Sequence, residues 1–128
     1  MNTIRLLLVD DEPAIRRGLR MRLALEPDVE IVGEAADGIA AIDSARVLAP
    51  NVVVMDVEMP RLNGIDATRA LRAQSPTTAV VVLSMHDDVE TQSRALAAGA
   101  AAFVAKHSID RALLDAIRGA AEQAEGVP

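Results

Sequence analysis

Acidic, hydroxyl and lysine side chains directly follow short apolar runs at four places in this 128-residue chain. The residues that follow the runs are Asp10 and Asp11, Asp56, Ser84, and Lys106. Carboxylates that meet at ~5 Å in a medium with an effective dielectric constant of ~20 repel each other by about 3 kcal/mol, so such a cluster needs a neutralising cation. A few hard oxygen ligands suit Mg²⁺ with retained waters better than Ca²⁺ or Zn²⁺.

Mg²⁺ beside a carboxylate, a hydroxyl and a lysine is suited to phosphoryl transfer, because this set combines a nucleophile with groups that hold charged phosphoryl oxygens. With a carboxylate as the nucleophile, the product would be an acyl phosphate on the protein itself. The chain has no cysteine, which excludes disulfides, thiolate metal sites and a cysteine nucleophile. The sequence therefore indicates an oxygen-ligated metal site, provided that these residues meet in space.

Five strand–helix units would bring these residues together. The apolar runs span residues 4–9, 52–55, 79–83 and 101–105, with a weaker fifth run at 29–32. They lack the polar alternation of half-exposed strands, and their centres lie 22 to 28 residues apart, which is room for one strand and one crossover helix. This pattern predicts an α/β fold with a doubly wound, five-stranded parallel sheet, since an eight-stranded barrel needs nearly twice the length. The carboxyl ends of such strands share the edge where binding sites form.

The intervening segments carry helix signals. Pro13 suits the first turn of the first helix. Asp87 is predicted to cap the fourth helix, with Glu90 three residues later, and Ser108 to cap the fifth. The residues predicted to face the sheet are Ile15, Leu19 and Leu23 in the first helix, Ile39, Ile42, Ala45 and Leu48 in the second, and Ile109, Leu113, Ile117 and Ala120 in the fifth. The first helix is also predicted to have a solvated face, formed by Arg16, Arg17, Arg20 and Arg22.

Composition limits the classes of function. The formal net charge is −6, so phosphate backbones and anionic lipids repel the chain, and we expect these residues to bind neither DNA nor a membrane. The first apolar run reaches Asp10 too soon to be a signal peptide or a membrane span, which favours a cytoplasmic location. The length predicts one domain, assigned to residues 1–124, with 125–128 as a tail or the start of a linker.

The sequence resembles the response-regulator receiver domain of bacterial two-component signalling over essentially its whole length. The resemblance is carried, in chain order, by Asp10-Asp11, Asp56, Met59-Pro60 with Gly64 four residues later, Ser84 and Lys106. The stretches at 6–13 and 99–108 are most similar to receivers that precede a LuxR/NarL-type helix-turn-helix. The resemblance implies a flavodoxin-like (βα)5 fold with strand order 2-1-3-4-5.

The resemblance also implies a role for each site residue. Asp56 would be the phosphoacceptor, and Lys106 would hold the phosphoryl oxygens. Ser84 would hydrogen-bond the phosphate and act with Phe103 as a switch. The Mg²⁺ ligands would be Asp11, Asp56 and the backbone carbonyl of Glu58, with Asp10 acting through water, while Glu58 and His86 would flank the site as candidates for tuning hydrolysis of the acyl phosphate.

As a receiver, the chain would take a phosphoryl group from a sensor histidine kinase and act as a signalling switch, not as a turnover enzyme. Phosphorylation would promote a homodimer, and DNA would be contacted only through an output domain outside these residues. One departure from the pattern is His107 after Lys106, where many receivers have a cis-proline. A non-prolyl cis bond costs ~3–4 kcal/mol, so the geometry of the Lys106–His107 peptide bond stays open.

Two other functions remain open from the sequence. A phosphatase of the haloacid-dehalogenase kind also uses a strand-end aspartate with distant Ser or Thr and Lys residues, although its Asp-x-Asp motif would here be Asp56 and Glu58. A pseudo-receiver would use the same fold only to bind a partner. Taken singly, the site residues also have ordinary structural interpretations: Asp10 and Asp11 as helix caps, Ser84 as a strand-end cap, Lys106 as a surface residue, Phe103 as a core residue, and His86 and His107 as solvated loop residues.

Overall fold

Strands and helices alternate along the chain, as its apolar pattern predicts. The computed structural model describes residues 3–86, 88–108 and 110–125. In chain order the elements are β1 (Ile4–Val9), α1 (Pro13–Leu23), β2 (Val29–Ala35), α2 (Gly38–Leu48), β3 (Val52–Asp56), α3 (Gly64–Gln74), β4 (Ala79–Ser84), α4 (Val89–Ala97), β5 (Ala102–Ala105), a 3₁₀ turn (Lys106–Ser108) and α5 (Asp110–Glu125). The strands are all parallel and lie in the order β2-β1-β3-β4-β5, which confirms the predicted fold and strand order.

The two faces of the sheet each carry a layer of helices. Successive strand residues point to opposite faces, so Leu6 and Leu8 of β1 pack with α1 and α5, while Leu7 and Val9 pack with α2, α3 and α4. Every residue of β3 and β4 is buried. Because both faces of these strands are covered, an uninterrupted run of Val, Leu and Met is stable there, and polar alternation is absent.

The strand register places the carboxyl ends of four strands side by side. Val9 pairs with Met55, so Asp10 and Asp56 come one residue later on neighbouring strands. Asp56 pairs in turn with Leu83, and Ser84 pairs with Ala105. Lys106 follows directly after that last pair. The register alone therefore gathers the predicted site residues at one edge of the sheet.

Helix α2 buries most of the predicted face, since Ala45 is buried and Ile42 and Leu48 pack against the core, but Ile39 is an exception. Ile39 was expected to face the sheet but is 49% exposed, whereas Ala41 and Ala45 are buried. The side chain of Leu48 lies so close to Gly33 that a Cβ atom at Gly33 would be 2.6 Å from it. Small residues on α2 and β2 thus allow a close approach of helix and sheet, and the larger Ile39 is left outside.

Several predicted helix ends are also corrected or lie outside the described residues. The N-cap of α4 is Asp88, whose carboxylate accepts a hydrogen bond from the Thr91 amide, while Asp87 lies outside the described residues. Ile109, the side chain of Ser108 and residues 126–128 also lie outside the described part of the chain, and Glu125, predicted to belong to the tail, is the last residue of α5. Within the described residues, no helix combines the length and the apolar character that crossing a bilayer requires.

Candidate functional site

Three carboxylates converge where β1 and β3 end. Asp10, Asp11 and Asp56 each offer an oxygen, and these three oxygens lie within 4.8 Å of one another. Asp10 and Asp56 are buried, and Asp11 is exposed. The possible ligands are hard carboxylate oxygens, and the exposed Asp11 leaves the cluster accessible to solvent. This arrangement fits a divalent cation that keeps several waters, such as Mg²⁺. The predicted acidic cluster is therefore formed by the fold.

Lys106 completes this cluster from the end of β5. Its Nζ atom lies 2.9 Å from Oδ2 of Asp10 and 2.9 Å from Oδ1 of Asp56. The lysine side chain is only 6% exposed, so it is not an ordinary surface lysine. The Lys106–His107 peptide bond is trans and lies within the 3₁₀ turn Lys106–Ser108. Lys106 thus reaches both carboxylates without a cis peptide bond.

Burial sets the protonation behaviour of the site. The pKa of Asp56 is raised from 3.8 to about 6, chiefly because the carboxylate is withdrawn from water and also because Asp10 and Asp11 repel its charge; Lys106 partly opposes this rise. Burial by itself lowers the pKa of Lys106, but its hydrogen bonds to Asp10 and Asp56 more than offset this, and the pKa is raised. At neutral pH Lys106 is therefore charged, and the carboxyl group of Asp56 is largely ionised.

The alternative role of the aspartate pair as a helix cap is not what the structure shows. The N-cap of α1 is Glu12, and no side chain caps this helix. Asp10 instead divides its two oxygens: Oδ1 accepts from the Glu12 amide at 2.9 Å, and Oδ2 accepts from Lys106. The buried carboxylate is thereby held in one orientation.

Arg16 is a site neighbour that sequence reasoning missed. It was assigned to a solvated face, but its guanidinium donates to the backbone carbonyl of Asp10 and to Oε1 of Glu34. Its side chain is 19% exposed. Arg20 reaches the same Glu34 carboxylate, so two of the four α1 arginines tie the helix to β2. Helical spacing distinguishes the solvent side from the core side, but it contains no information on a partner 18 residues later.

The remaining predicted residues lie on β4, on β5 and in the loops that follow β3 and β4. Ser84 is buried, and its hydroxyl accepts a hydrogen bond from the His86 amide at 2.9 Å. Phe103 is partly buried and packs on the core beneath α2, α3 and α4. His86 is not simply solvated, because its Nε2 lies 2.9 Å from Oε1 of Glu58. Both of these side chains are mostly exposed, so this contact links the β3–α3 and β4–α4 loops at the surface.

Gly64 holds the β3–α3 loop directly against the acceptor strand. Its amide donates to the Val57 carbonyl at 2.8 Å. A Cβ atom at this position would lie 1.9 Å from the backbone oxygen of Asp56. No side chain fits there, so glycine is required by the close approach of two backbone segments.

We expect Gly64→Ala to lower the free energy of unfolding by about 2 kcal/mol, because the added methyl group must displace the backbone of Asp56. Urea unfolding followed by far-UV circular dichroism measures this change. Gly119→Ala is the matched control: nothing lies within 4 Å of its added Cβ, and alanine favours a helix over glycine by up to about 1 kcal/mol. Equal stability of Gly64→Ala and the wild type would contradict the close contact.

Comparison with known proteins assigns the chain to a family. A sequence model of the response regulator receiver domain matches residues 6–118. The chain belongs to the response regulator receiver domain family. The match covers every predicted site residue, and it favours the receiver over a phosphatase of the haloacid-dehalogenase kind as the explanation of the aspartate cluster.

Individual relatives of this receiver include transcriptional regulators. The transcriptional regulatory protein DegU of Brevibacillus brevis is 36% identical over 121 residues, which are 94% of this chain and 51% of DegU. A crystal structure of a LuxR-family two-component response regulator from Aurantimonas sp. SI85-9A1 superimposes with a TM-score of 0.91 and 34% identity, covering 95% of this chain and 87% of that one. The predicted similarity to receivers of LuxR/NarL-type regulators is thus confirmed.

A receiver of this kind also occurs in proteins with another output. A protein-glutamate methylesterase/protein-glutamine glutaminase of Myxococcus xanthus is 40% identical over 104 residues, which are 80% of this chain and 30% of that protein. This chain spans about half the length of the DegU relative. The receiver residues alone therefore do not specify an output.

Proposed function

We propose that this receiver is a phosphorylation-dependent switch of a two-component system and that Asp56 accepts a phosphoryl group from the phosphohistidine of a sensor kinase. The observation that carries the proposal is the convergence of Asp10, Asp11 and Asp56, two of which contact the buried ammonium group of Lys106. We also propose a cytoplasmic location. The receiver, predicted to cover residues 1–124, would extend to Glu125, where α5 ends.

Mg²⁺ would be held by Asp11, Asp56 and the backbone carbonyl of Glu58, with Asp10 acting through water. When bound, the ion would neutralise the carboxylates and the charge on the incoming phosphoryl oxygens. The carboxylate oxygens within 4.8 Å of one another support this assignment, because three such groups without a cation repel each other. Glu58 is placed by the loop that leaves β3 immediately after Asp56.

Asp56 would act as the nucleophile and Lys106 as the charge clamp. With a pKa of about 6, Asp56 is largely ionised at neutral pH and offers a carboxylate oxygen for attack on phosphorus. Attack would form the Asp56 oxygen–phosphorus bond and break the bond from phosphorus to the donor's histidine nitrogen. The ammonium of Lys106 already contacts Asp56 at 2.9 Å, so it would meet the phosphoryl oxygens without a large movement.

Ser84 and Phe103 would convert the new charge into a change of shape. The phosphoryl group adds about −1.5 to −2 charge and three strong acceptor oxygens. The Ser84 hydroxyl accepts from the His86 amide, and its proton is available for donation to one of these oxygens. Movement of Ser84 towards the phosphate would leave space for the partly buried Phe103, which lies on the neighbouring strand. This is a two-state switch biased by local charge.

The switched surface would control an output through a partner. We propose that phosphorylation leads to a homodimer. Transcription would then be controlled by a DNA-binding output domain outside these residues. The similarity to DegU and to a LuxR-family regulator supports this choice. Glu58 and His86, paired across the mouth of the site, would tune the access of water and therefore the lifetime of the acyl phosphate.

The proposal is tested by incubating the chain with a phosphorylated sensor kinase or with acetyl phosphate, with Mg²⁺ or with EDTA. We expect a mass increase of one phosphoryl group with Mg²⁺, none with EDTA, and loss of the group in alkali, as acyl phosphates behave. No phosphoryl uptake and no rise in thermal stability with Mg²⁺ would instead indicate a pseudo-receiver. Steady-state turnover of a phosphomonoester would overturn the assignment as a switch that is not an enzyme.

A further inference from the structure

Backbone hydrogen bonds hold both ends of the β3–α3 loop, residues 57–63. The Val57 amide donates to the Leu83 carbonyl at 3.1 Å, and the Gly64 amide donates to the Val57 carbonyl. Glu58, whose backbone carbonyl is the proposed metal ligand, lies just beyond the first of these bonds. Glu58 lies between the two ends that these bonds fix, so contacts made by the outer part of the loop also help to set the position of its carbonyl.

Arg61 stands at the outer part of this loop in an unusual backbone conformation. Its φ angle is +68°, in the left-handed region that favours glycine and disfavours a residue with a long side chain. A residue stays in this region when its surroundings hold it there. For Arg61, the surroundings include an ion pair with the N-terminus of α2.

The partner of Arg61 is the buried carboxylate of Asp37. Oδ1 of Asp37 accepts from the Ala40 amide at 2.8 Å and so caps α2. Oδ2 accepts from Nε of Arg61 at 3.0 Å, and Nη2 of Arg61 lies 2.9 Å from the same oxygen. Asp37 is only 5% exposed, so the cap fixes the oxygen that receives Arg61.

Backbone packing joins the same two segments. A Cβ atom at Gly38, the first residue of α2, would lie 2.4 Å from the backbone oxygen of Leu62. The loop at Arg61 and Leu62 is therefore in contact with the start of α2, both through the ion pair and through the backbone. On its other side, the loop is linked to the β4–α4 loop by the Glu58–His86 pair.

We propose that Arg61, through Asp37, is a positioning residue of the magnesium site, because it fixes the loop that carries the Glu58 carbonyl. The inference rests on the proposed function. Arg61 itself contributes positive charge, which by its field alone would weaken cation binding. Although Asp37 is buried, the Arg61 side chain is 73% exposed, and solvent weakens the contribution of such a pair to global stability. Its effect should therefore be seen in metal affinity more than in folding.

The test is calorimetric titration of the full chain with Mg²⁺, comparing the wild type with Arg61→Ala and Asp37→Asn. Asparagine keeps an oxygen for the Ala40 amide and removes the charge that Arg61 contacts. We expect both variants to bind Mg²⁺ about 10-fold more weakly, the low end of what loss of an outer-shell partner costs. Because one variant loses a positive charge and the other a negative charge, a common decrease is not a field effect.

Two further variants separate positioning from other effects. Arg61→Gly should bind Mg²⁺ more tightly than Arg61→Ala, since glycine accepts the φ angle of +68° without the ion pair. Arg46→Ala is the matched control, because Arg46 is also exposed and paired with an aspartate, Asp43, on the surface of α2. It should bind Mg²⁺ as tightly as the wild type or slightly more tightly.

The outcomes distinguish this inference from the proposed function. Unchanged or tighter Mg²⁺ binding by Arg61→Ala, with normal binding by the wild type, would overturn the positioning role alone. A lower unfolding temperature in EDTA with unchanged Mg²⁺ affinity would have the same meaning, because it shows a purely structural role. Absence of Mg²⁺ binding in the wild type would overturn the proposed function itself.

Discussion

Phosphoryl uptake by the Asp56→Asn variant is expected to fall to background. The amide side chain has nearly the shape of the carboxylate but is not a nucleophile, so no acyl phosphate forms at this position. Lys106 also contacts Asp10, and this contact does not involve the substituted side chain, so we expect the fold to be retained. The measurement is transfer of labelled phosphate from a phosphorylated sensor kinase in the presence of Mg²⁺, with equal amounts of folded wild type and variant.

Asp43→Asn is the matched control for this loss. Asp43 is an exposed carboxylate on α2, paired with Arg46, and its replacement changes the net charge by the same amount. We expect the control to accept phosphate at the wild-type level. Full labelling of Asp56→Asn would show that another residue is the acceptor, and the assignment of Asp56 would then be wrong.

The same Asp56→Asn substitution is expected to stabilise the metal-free protein at neutral pH. The rise in the pKa of Asp56 from 3.8 to about 6, caused chiefly by burial, means that the ionised carboxylate opposes folding by about 3 kcal/mol. Asparagine carries no charge to bury. In EDTA at neutral pH, we therefore expect the variant to have a higher free energy of unfolding, by on the order of 2–3 kcal/mol.

The pH dependence of the free energy of unfolding shows whether ionisation of Asp56 is the cause of this difference in stability. Protonated Asp56 favours the folded state, so its contribution to wild-type stability is fully present below pH 3.8 and is lost as the pH rises to about 6. The difference between variant and wild type should therefore be small in acid, grow across this interval and stay constant above it. The chain has no Trp or Tyr, so urea unfolding is followed by far-UV circular dichroism. A difference independent of pH would contradict the role of ionisation.

The expected loss of phosphoryl uptake and the expected gain in stability of Asp56→Asn both follow from the surroundings of this carboxylate. The surroundings that withdraw Asp56 from water also place it beside Asp10, Asp11 and Lys106. A buried acidic cluster costs stability in the absence of a cation, and binding of a divalent cation to the native state returns part of that stability. The proposed metal binding and the lower stability of the metal-free protein therefore have the same physical cause.

Much of the fold was predictable because it depends on local patterns. Residues 6–9 of β1 and 52–55 of β3 are apolar without interruption, as strands covered on both faces must be. A spacing of 22 to 28 residues between such runs predicts parallel strands joined by helices, and parallel strands bring Asp10, Asp56, Ser84 and Lys106 to one edge. The convergence of the site follows from this geometry and was predictable for that reason.

Other features depended on contacts between segments far apart in the sequence. The ion pair of Arg61 with Asp37 spans 24 residues, and the contact of Arg16 with Glu34 spans 18. No periodic pattern predicts which oppositely charged side chains meet. Each charged residue has several possible partners in the sequence, and only the folded structure decides between them. The exposure of Ile39 likewise depended on how closely Ala41 and Ala45 allow α2 to approach the sheet.

By itself, the sequence determined the parallel sheet and the common edge at which Asp10, Asp56, Ser84 and Lys106 lie, because apolar runs and strand ends are properties of neighbouring residues. Only the tertiary structure decided that Lys106 lies between Asp10 and Asp56 on a trans peptide bond, and that burial raises the pKa of Asp56. It also decided that Gly64 touches the backbone of Asp56. These facts depend on distances across the folded chain, and such distances arise only when strands, loops and helices pack together.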